Sequence, residues 1–270
     1  MSKRSYRDKA IVLRTHDLGE ADRIITLLTR DNGKVRAVAK GVRKTKSRYG
    51  SRLEPFSYVD IQLYAGKTFE VVSQVESINA YHRVIITNYD VYTAASAILE
   101  TCDRIISDEG LADLAHFVLL HGAIHAIATN AHHPELILGS YILRAMSYSG
   151  WELAIYECAI CGEAGPHEAL NISVGGAVCN NCAPPGSARP TIDTWQLLAA
   201  LNAGDWNIAD LAQSPARKST LSIITSFLQW HLEKNVASLK YVGNKHLGTE
   251  AGALPVNQAR SEGVSDGAGN

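Results

Sequence analysis

The chain has 270 residues, 46% hydrophobic and 20% charged. That is an ordinary globular composition, which excludes fibrous and disordered classes and leaves room for two or three units with cores of their own. The net charge of -1 hides an asymmetry, because residues 1–52 hold 15 of the 26 Lys and Arg but 5 of the 27 Asp and Glu, and such a basic end points to a polyanion as partner.

No apolar run reaches the roughly 18 to 20 residues that span a bilayer, and the polar opening Met1 to Asp8 is unlike a secretory leader, so the cytoplasm is the expected compartment. From Lys9 to Asn79 the pattern predicts five strands: 9–15, 23–29, 34–41, 57–65 and 68–79. The fourth alternates most clearly, with Val59, Ile61 and Leu63 on one face and Tyr58, Asp60, Gln62 and Tyr64 on the other. Asp31-Asn32-Gly33 is hairpin-turn chemistry, and Gly66-Lys67 turns the next hairpin. Five strands with a long connection after the third fit a small closed barrel of the OB-fold type better than a sandwich.

Between Asp31 and Glu54 there is no acid, while Lys34, Arg36, Lys40, Arg43, Lys44, Lys46, Arg48 and Arg52 are all basic. Cations packed this densely repel one another unless phosphates intervene, so these eight are the candidate nucleic-acid contacts. Lys34, Arg36 and Lys40 share strand parity and should leave one face while Val35, Ala37 and Ala39 turn inward. Arg43 to Arg52 reads as a mobile loop bordering that face, an arrangement by which OB-folds track single strands. Tyr49, Tyr58 and Tyr64 are candidates for base stacking, with packing as the alternative for each. Asp17, Glu20 and Asp22 are either a hard-cation site or salt-bridge partners of Arg14 and Arg23.

The period turns helical at Tyr89. Ala94, Ala95, Ile98, Leu99, Cys102, Ile105 and Ile106 make one stripe, and further helices are predicted at 111–129, 134–149, 191–202 and 217–239. His121 and His125 stand four apart without the Glu of a metalloprotease helix, so they read as packed or surface residues. Arg104 and Arg144 are isolated cations that suit an acidic partner segment. From Gly243 to Asn270 the chain is Gly-rich and poor in large apolar side chains, and it reads as a disordered tail.

Between the helices, Cys158-Ala-Ile-Cys161 and Cys179-Asn-Asn-Cys182 form two CxxC pairs at zinc-ribbon spacing. Four thiolates close a tetrahedral shell with no position left for water, so the expected cofactor is one structural Zn2+. A disulfide pair and a redox dithiol are the alternatives, disfavoured by a reducing compartment and by the second pair. His167 reads as a surface imidazole and Cys102 as core. No GxxxxGK[ST], GxGxxG or GxSxG occurs, and nothing in the residues calls for catalysis. An RNA-binding OB protein remains a rival on the basic segment alone, and a zinc-dependent enzyme is the more distant one.

The run Ala10-Ile-Val-Leu-Arg14, Asp17-Leu-Gly-Glu-Ala-Asp-Arg23, Gly33-Lys34, Ala39-Lys-Gly41, Ser47 and Leu53-Glu-Pro55 resembles the N-terminal signature of the bacterial recombination mediator RecO family. The helical middle, the double CxxC insert and a closing helix near Ser238-Leu-Lys240 extend the likeness over 5–242. The resemblance implies an α+β multidomain protein. An N-terminal five-stranded OB-fold barrel (1–80) precedes an all-helical domain (81–157 and 183–242), which carries a four-cysteine zinc-ribbon insert (158–182), and the tail (243–270) has no counterpart in the family. It further implies a non-enzymatic, nucleoid-associated DNA repair mediator that binds single- and double-stranded DNA and anneals complementary strands without ATP. With RecR, such a mediator helps load RecA onto DNA coated by single-stranded-DNA-binding protein, whose C-terminal tail docks on the helices.

Overall fold

The computed structural model describes residues 5–107, 109–232 and 236–243. The segment read as a tail lies, past Gly243, outside the described residues. Strands β1 (Ser5–Leu18), β2 (Asp22–Thr29), β3 (Gly33–Ala39), β4 (Ser57–Tyr64) and β5 (Glu70–Ala80) close into a barrel in the order β1-β2-β3-β5-β4. β3 runs parallel to β5, and β1 closes the cylinder antiparallel to β4, as expected for an OB-fold. Val59, Ile61 and Leu63 are fully buried along β4, and Ala10, Val12, Ile25, Leu27, Val35, Ala37 and Ala39 complete the interior. β1 is longer than its apolar run because it serves two neighbours: Ser5 to Ile11 pair with β4 and Ala10 to Leu18 with β2. A bulge between Val12 and Arg14 re-aims the strand.

Helices follow as α1 (His82–Ile85), α2 (Tyr89–Ile105), α3 (Leu114–Ala128) and α4 (Pro134–Tyr148). A small hairpin, β6 (Ala169–Asn171) and β7 (Gly176–Val178), precedes α5 (Ile192–Ala203), α6 (Trp206–Ala209) and α7 (Ser214–His231). Capping explains the starts: Asn88, Asp113 and Thr191 accept from Val91 N, His116 N and Thr194 N, so α3 begins after Asp113 rather than at Leu111. The expected single helix over 217–239 is not continuous. α7 stops at His231, Leu232 is extended, and Ala237–Tyr241 form a separate 3-10 turn. Glu100 of α2 holds that turn by accepting from Ala237 N at 2.8 Å and Ser238 N at 2.9 Å. α1, α6, β6 and β7 are too short to leave a periodic signal.

The main core joins α2 to α5 and α7 with the outer barrel residues Ile11, Leu13, Leu28 and Phe56. Each such side chain contributes about 1.5–3 kcal/mol on burial, so the barrel face over β1 and β2 is firmly docked on the helices. Gly33 sits where a Cβ would come within 1.8 Å of the Leu111 carbonyl, and its φ of +66° is open to glycine. The segment between α2 and α3 thereby reaches β3, where Gly110 N donates to the Lys34 carbonyl at 3.0 Å. Among the described residues no helix is long and apolar enough to cross a membrane.

Candidate nucleic-acid interface and metal centre

β3 delivers its cations to the outer face as parity predicts, but to different surroundings. Lys34 is buried: its ammonium donates to the Asp103 carbonyl at 2.8 Å and lies 3.2 Å from the Asp103 carboxylate, which also holds Arg14 at 2.7 Å. This corrects the expectation that Lys34 joins Arg36 and Lys40 on an exposed face, because α2 covers its end of the strand. Arg36 stays half exposed, paired with Glu109 at 2.5 Å and lying 5.1 Å above the Phe69 ring. Lys40 is exposed just beyond the strand.

The loop after β3 folds back onto the barrel. Val42, Tyr49 and Leu53 insert into the barrel core, and Gly50–Leu53 form a 3-10 turn. Tyr49 is 1% exposed, and its hydroxyl donates to the Val72 carbonyl at 2.9 Å, so it is packing and offers no stacking surface. Arg48 lies over the Tyr49 ring and donates to its hydroxyl at 2.6 Å. Arg52 donates to the carbonyls of Arg48 and Tyr49. Arg43 reaches the Gly19 carbonyl and Asp17. These anchors hold Lys40, Lys44 and Lys46 outward, exposed and without an ion pair among the described residues. The result is three exposed ammonium groups on the stretch that follows β3.

Of the acids Asp17, Glu20 and Asp22 near this loop, Asp17 and Asp22 are engaged within the fold and Glu20 is exposed. Asp17 pairs with Arg23 and Arg43, and Asp22 accepts from Gly41 N at 2.7 Å, which favours the salt-bridge alternative over a cation site, although Arg14 turns to Asp103 instead. Tyr58 packs on Phe117 and His121 of α3. His125 bonds the Tyr81 hydroxyl at 3.2 Å, so both histidines are packing residues, and burial with the neighbouring His125 lowers the pKa of His121. Arg104 is held by Glu100 at 2.9 Å. Phe69 carries no signal in the sequence, since a single aromatic in a turn has no period.

Cys158, Cys161, Cys179 and Cys182 converge so that their sulfurs lie within 4.8 Å of one another, with Cys161 and Cys179 at 3.9 Å. Four sulfurs at tetrahedral Zn–S distances stand about 3.8 Å apart, so the set fits a metal ion. The turns are built by backbone bonds, including Gly162 N to the Cys158 carbonyl at 2.8 Å and Cys182 N to the Cys179 carbonyl at 3.1 Å. Gly162, Gly175 and Gly176 take φ of 76°, 103° and 142°, conformations open to glycine. N–H groups of the facing turn and of its own turn, first among them that of Cys179, lower the Cys158 pKa to about 6, while the neighbouring thiols push Cys182 up to about 12. One thiolate is therefore prepared, and a cation would relieve the crowding of the others. Cys102 is fully buried on α2, and burial raises its thiol to about 12, as suits core rather than chemistry. His167 is half-buried and bonds the Glu163 carbonyl, outside the sulfur set.

Comparison with known proteins decides the family. The model for recombination protein O, N terminal, matches residues 1–81, and that for recombination protein O, C terminal, matches 86–240. The chain belongs to the RecO family. A curated relative, DNA repair protein RecO of Thermobifida fusca (strain YX), is 48% identical over 237 residues, which is 88% of this chain and 98% of the relative. The N-terminal RecO match coincides with the barrel and the C-terminal one with the helices, the four-cysteine hairpin included.

Proposed function

We propose that this RecO-family chain is a DNA repair and recombination mediator that acts without covalent chemistry. The barrel rim binds single- and double-stranded DNA through phosphate, using Lys40, Arg43, Lys44, Lys46, Arg48 and Arg52 with Arg36 beside them, and Lys34 acts only within the fold. The observation that carries this is that Lys40, Lys44 and Lys46 are exposed and without an ion pair among the described residues, on a loop whose Val42, Tyr49 and Leu53 pack into the barrel core. Cations this close in sequence, on a loop that contains neither Asn nor Gln, favour sequence-independent phosphate contact.

Family membership supports the rest. The protein anneals complementary strands without a nucleotide cofactor and, with RecR, helps load RecA onto DNA coated by single-stranded-DNA-binding protein. The helical region docks the C-terminal tail of that binding protein. The four cysteines hold one structural Zn2+, whose closed sulfur shell stabilises the hairpin between α4 and α5. Annealing of complementary strands coated with single-stranded-DNA-binding protein, with no nucleotide present, tests the mediator role. Acceleration over the uncatalysed rate is expected, and its absence would remove that role.

A further inference from the structure

The geometry points to a nucleotide subsite formed by Phe69 and Arg36, in which Glu109 stands where a strand phosphate would bind. This rests on strand binding at the barrel and names a place and a competitor for it. β5 pairs with β3 only at Ala37 and Val38, so the strand edge from Gly33 to Arg36 lies beyond β5. The segment between α2 and α3 fills that edge. It donates Gly110 N to the Lys34 carbonyl at 3.0 Å, packs Leu111 against Gly33, and so brings the Glu109 carboxylate to Arg36.

Arg36 is 44% exposed and Glu109 42%, so this is an open ion pair, unlike the buried one at Lys34. A carboxylate on a half-exposed guanidinium has the charge and bidentate acceptor geometry of a phosphate. Beneath the guanidinium lies Phe69, half-buried, in the turn that joins β4 to β5. A Cβ at Gly66 would meet the Phe69 carbonyl at 2.0 Å, so the backbone of that turn is closely folded. OB-folds bind strands with this pair of elements, an aromatic on the loop between strands four and five and a cation on the adjoining face. Tyr49 and Tyr58 are committed to packing, whereas Phe69 is a half-buried ring in contact with a cation of β3. When a strand arrives, its phosphate displaces Glu109 from Arg36 and an unstacked base takes the exposed part of the Phe69 face.

Fluorescence anisotropy of the full chain with a thymidine homopolymer and with a duplex, across a salt series, tests this. Glu109→Gln is expected to raise single-strand affinity about two- to fivefold at low salt, the size of an exposed ion pair, and to steepen the log–log salt slope by up to about 0.7. Arg36→Gln should lower affinity and abolish the Glu109→Gln gain in the double variant. Phe69→Ala should weaken single-strand binding about fivefold or more while leaving duplex affinity and the salt slope unchanged, and Phe69→Tyr should restore it. Unfolding midpoints of the variants serve as the folding control. No gain in Glu109→Gln, a gain that survives Arg36→Gln, or equal losses on strand and duplex for Phe69→Ala would each overturn the subsite. If those results appear while Lys44 and Lys46 variants still lose affinity, only the subsite fails. If the natural chain binds neither strand nor duplex, strand binding at the barrel fails with it.

Discussion

Lys34 and Asp103 offer a sharp separation of fold from function. The ammonium and carboxylate are 10% and 17% exposed and 3.2 Å apart, and Arg14 completes the cluster at 2.7 Å. Asp103→Asn keeps the shape and removes the anion between two cations. Breaking a buried pair from one side costs about 3–5 kcal/mol. Lys34 keeps its bond to the Asp103 main-chain carbonyl, and the pair is not wholly dry, so about 2–3 kcal/mol is expected here. Lys34→Met matches the stem and leaves Asp103 with Arg14, so it should cost about 1 kcal/mol or less. At about 2–4 °C per kcal/mol for a protein of this size, Asp103→Asn should lower the melting midpoint by about 5–10 °C and Lys34→Met by no more than about 4 °C. Differential scanning calorimetry measures both. DNA titration adds a second readout: Lys34→Met should leave the salt slope unchanged, because its ammonium faces α2. Equal destabilisation by the two variants, or a slope flattened by about 0.7 in Lys34→Met, would refute the assignment of Lys34 to the domain junction.

Purified protein is expected to carry about one zinc per chain, and the pair Cys158→Ser with Cys179→Ser should lose it by elemental analysis while strand binding by the barrel persists; full zinc in that variant would contradict the sulfur site. Tyr49→Phe removes a buried hydroxyl bond and should cost about 1 kcal/mol in urea unfolding, with no change in the salt slope of DNA binding. His82 and His121 both have pKa values lowered chiefly by burial. The unfolded chain therefore takes up protons that the folded one refuses, so stability is full above about pH 6.5 and falls as pH drops below it. His121→Phe should flatten that fall in thermal unfolding measured between about pH 7.5 and 5.5.

The barrel is legible because a strand with one buried face writes its register into the chain, as Val59, Ile61 and Leu63 do. The cysteine site is equally plain, since two short spacers carry their geometry with them. Parity places Lys34 on the outer face correctly, yet parity says nothing of what covers that face. The covering group, Asp103, lies 69 residues away on another element. Tyr49 escapes sequence reading for a related reason: a loop has no period, and its anchoring in the core through Val42, Tyr49 and Leu53 shows only once the barrel is closed. Glu109 and Phe69 meet at Arg36 from distant parts of the chain, a convergence that only the fold supplies. The split of the last helix at His231 likewise depends on Glu100 capturing Ala237 and Ser238 from across the bundle.

The measurement closest to the central claim is the salt dependence of strand binding by the natural chain and by a Lys40→Ala, Lys44→Ala, Lys46→Ala variant. Each phosphate contact on a single strand contributes a log–log slope of about -0.7, so loss of three should reduce its magnitude by about 2, lower affinity alike for all sequences and leave the unfolding midpoint unchanged. An unchanged slope and affinity in that variant would place the DNA site elsewhere and contradict the assignment of the barrel rim.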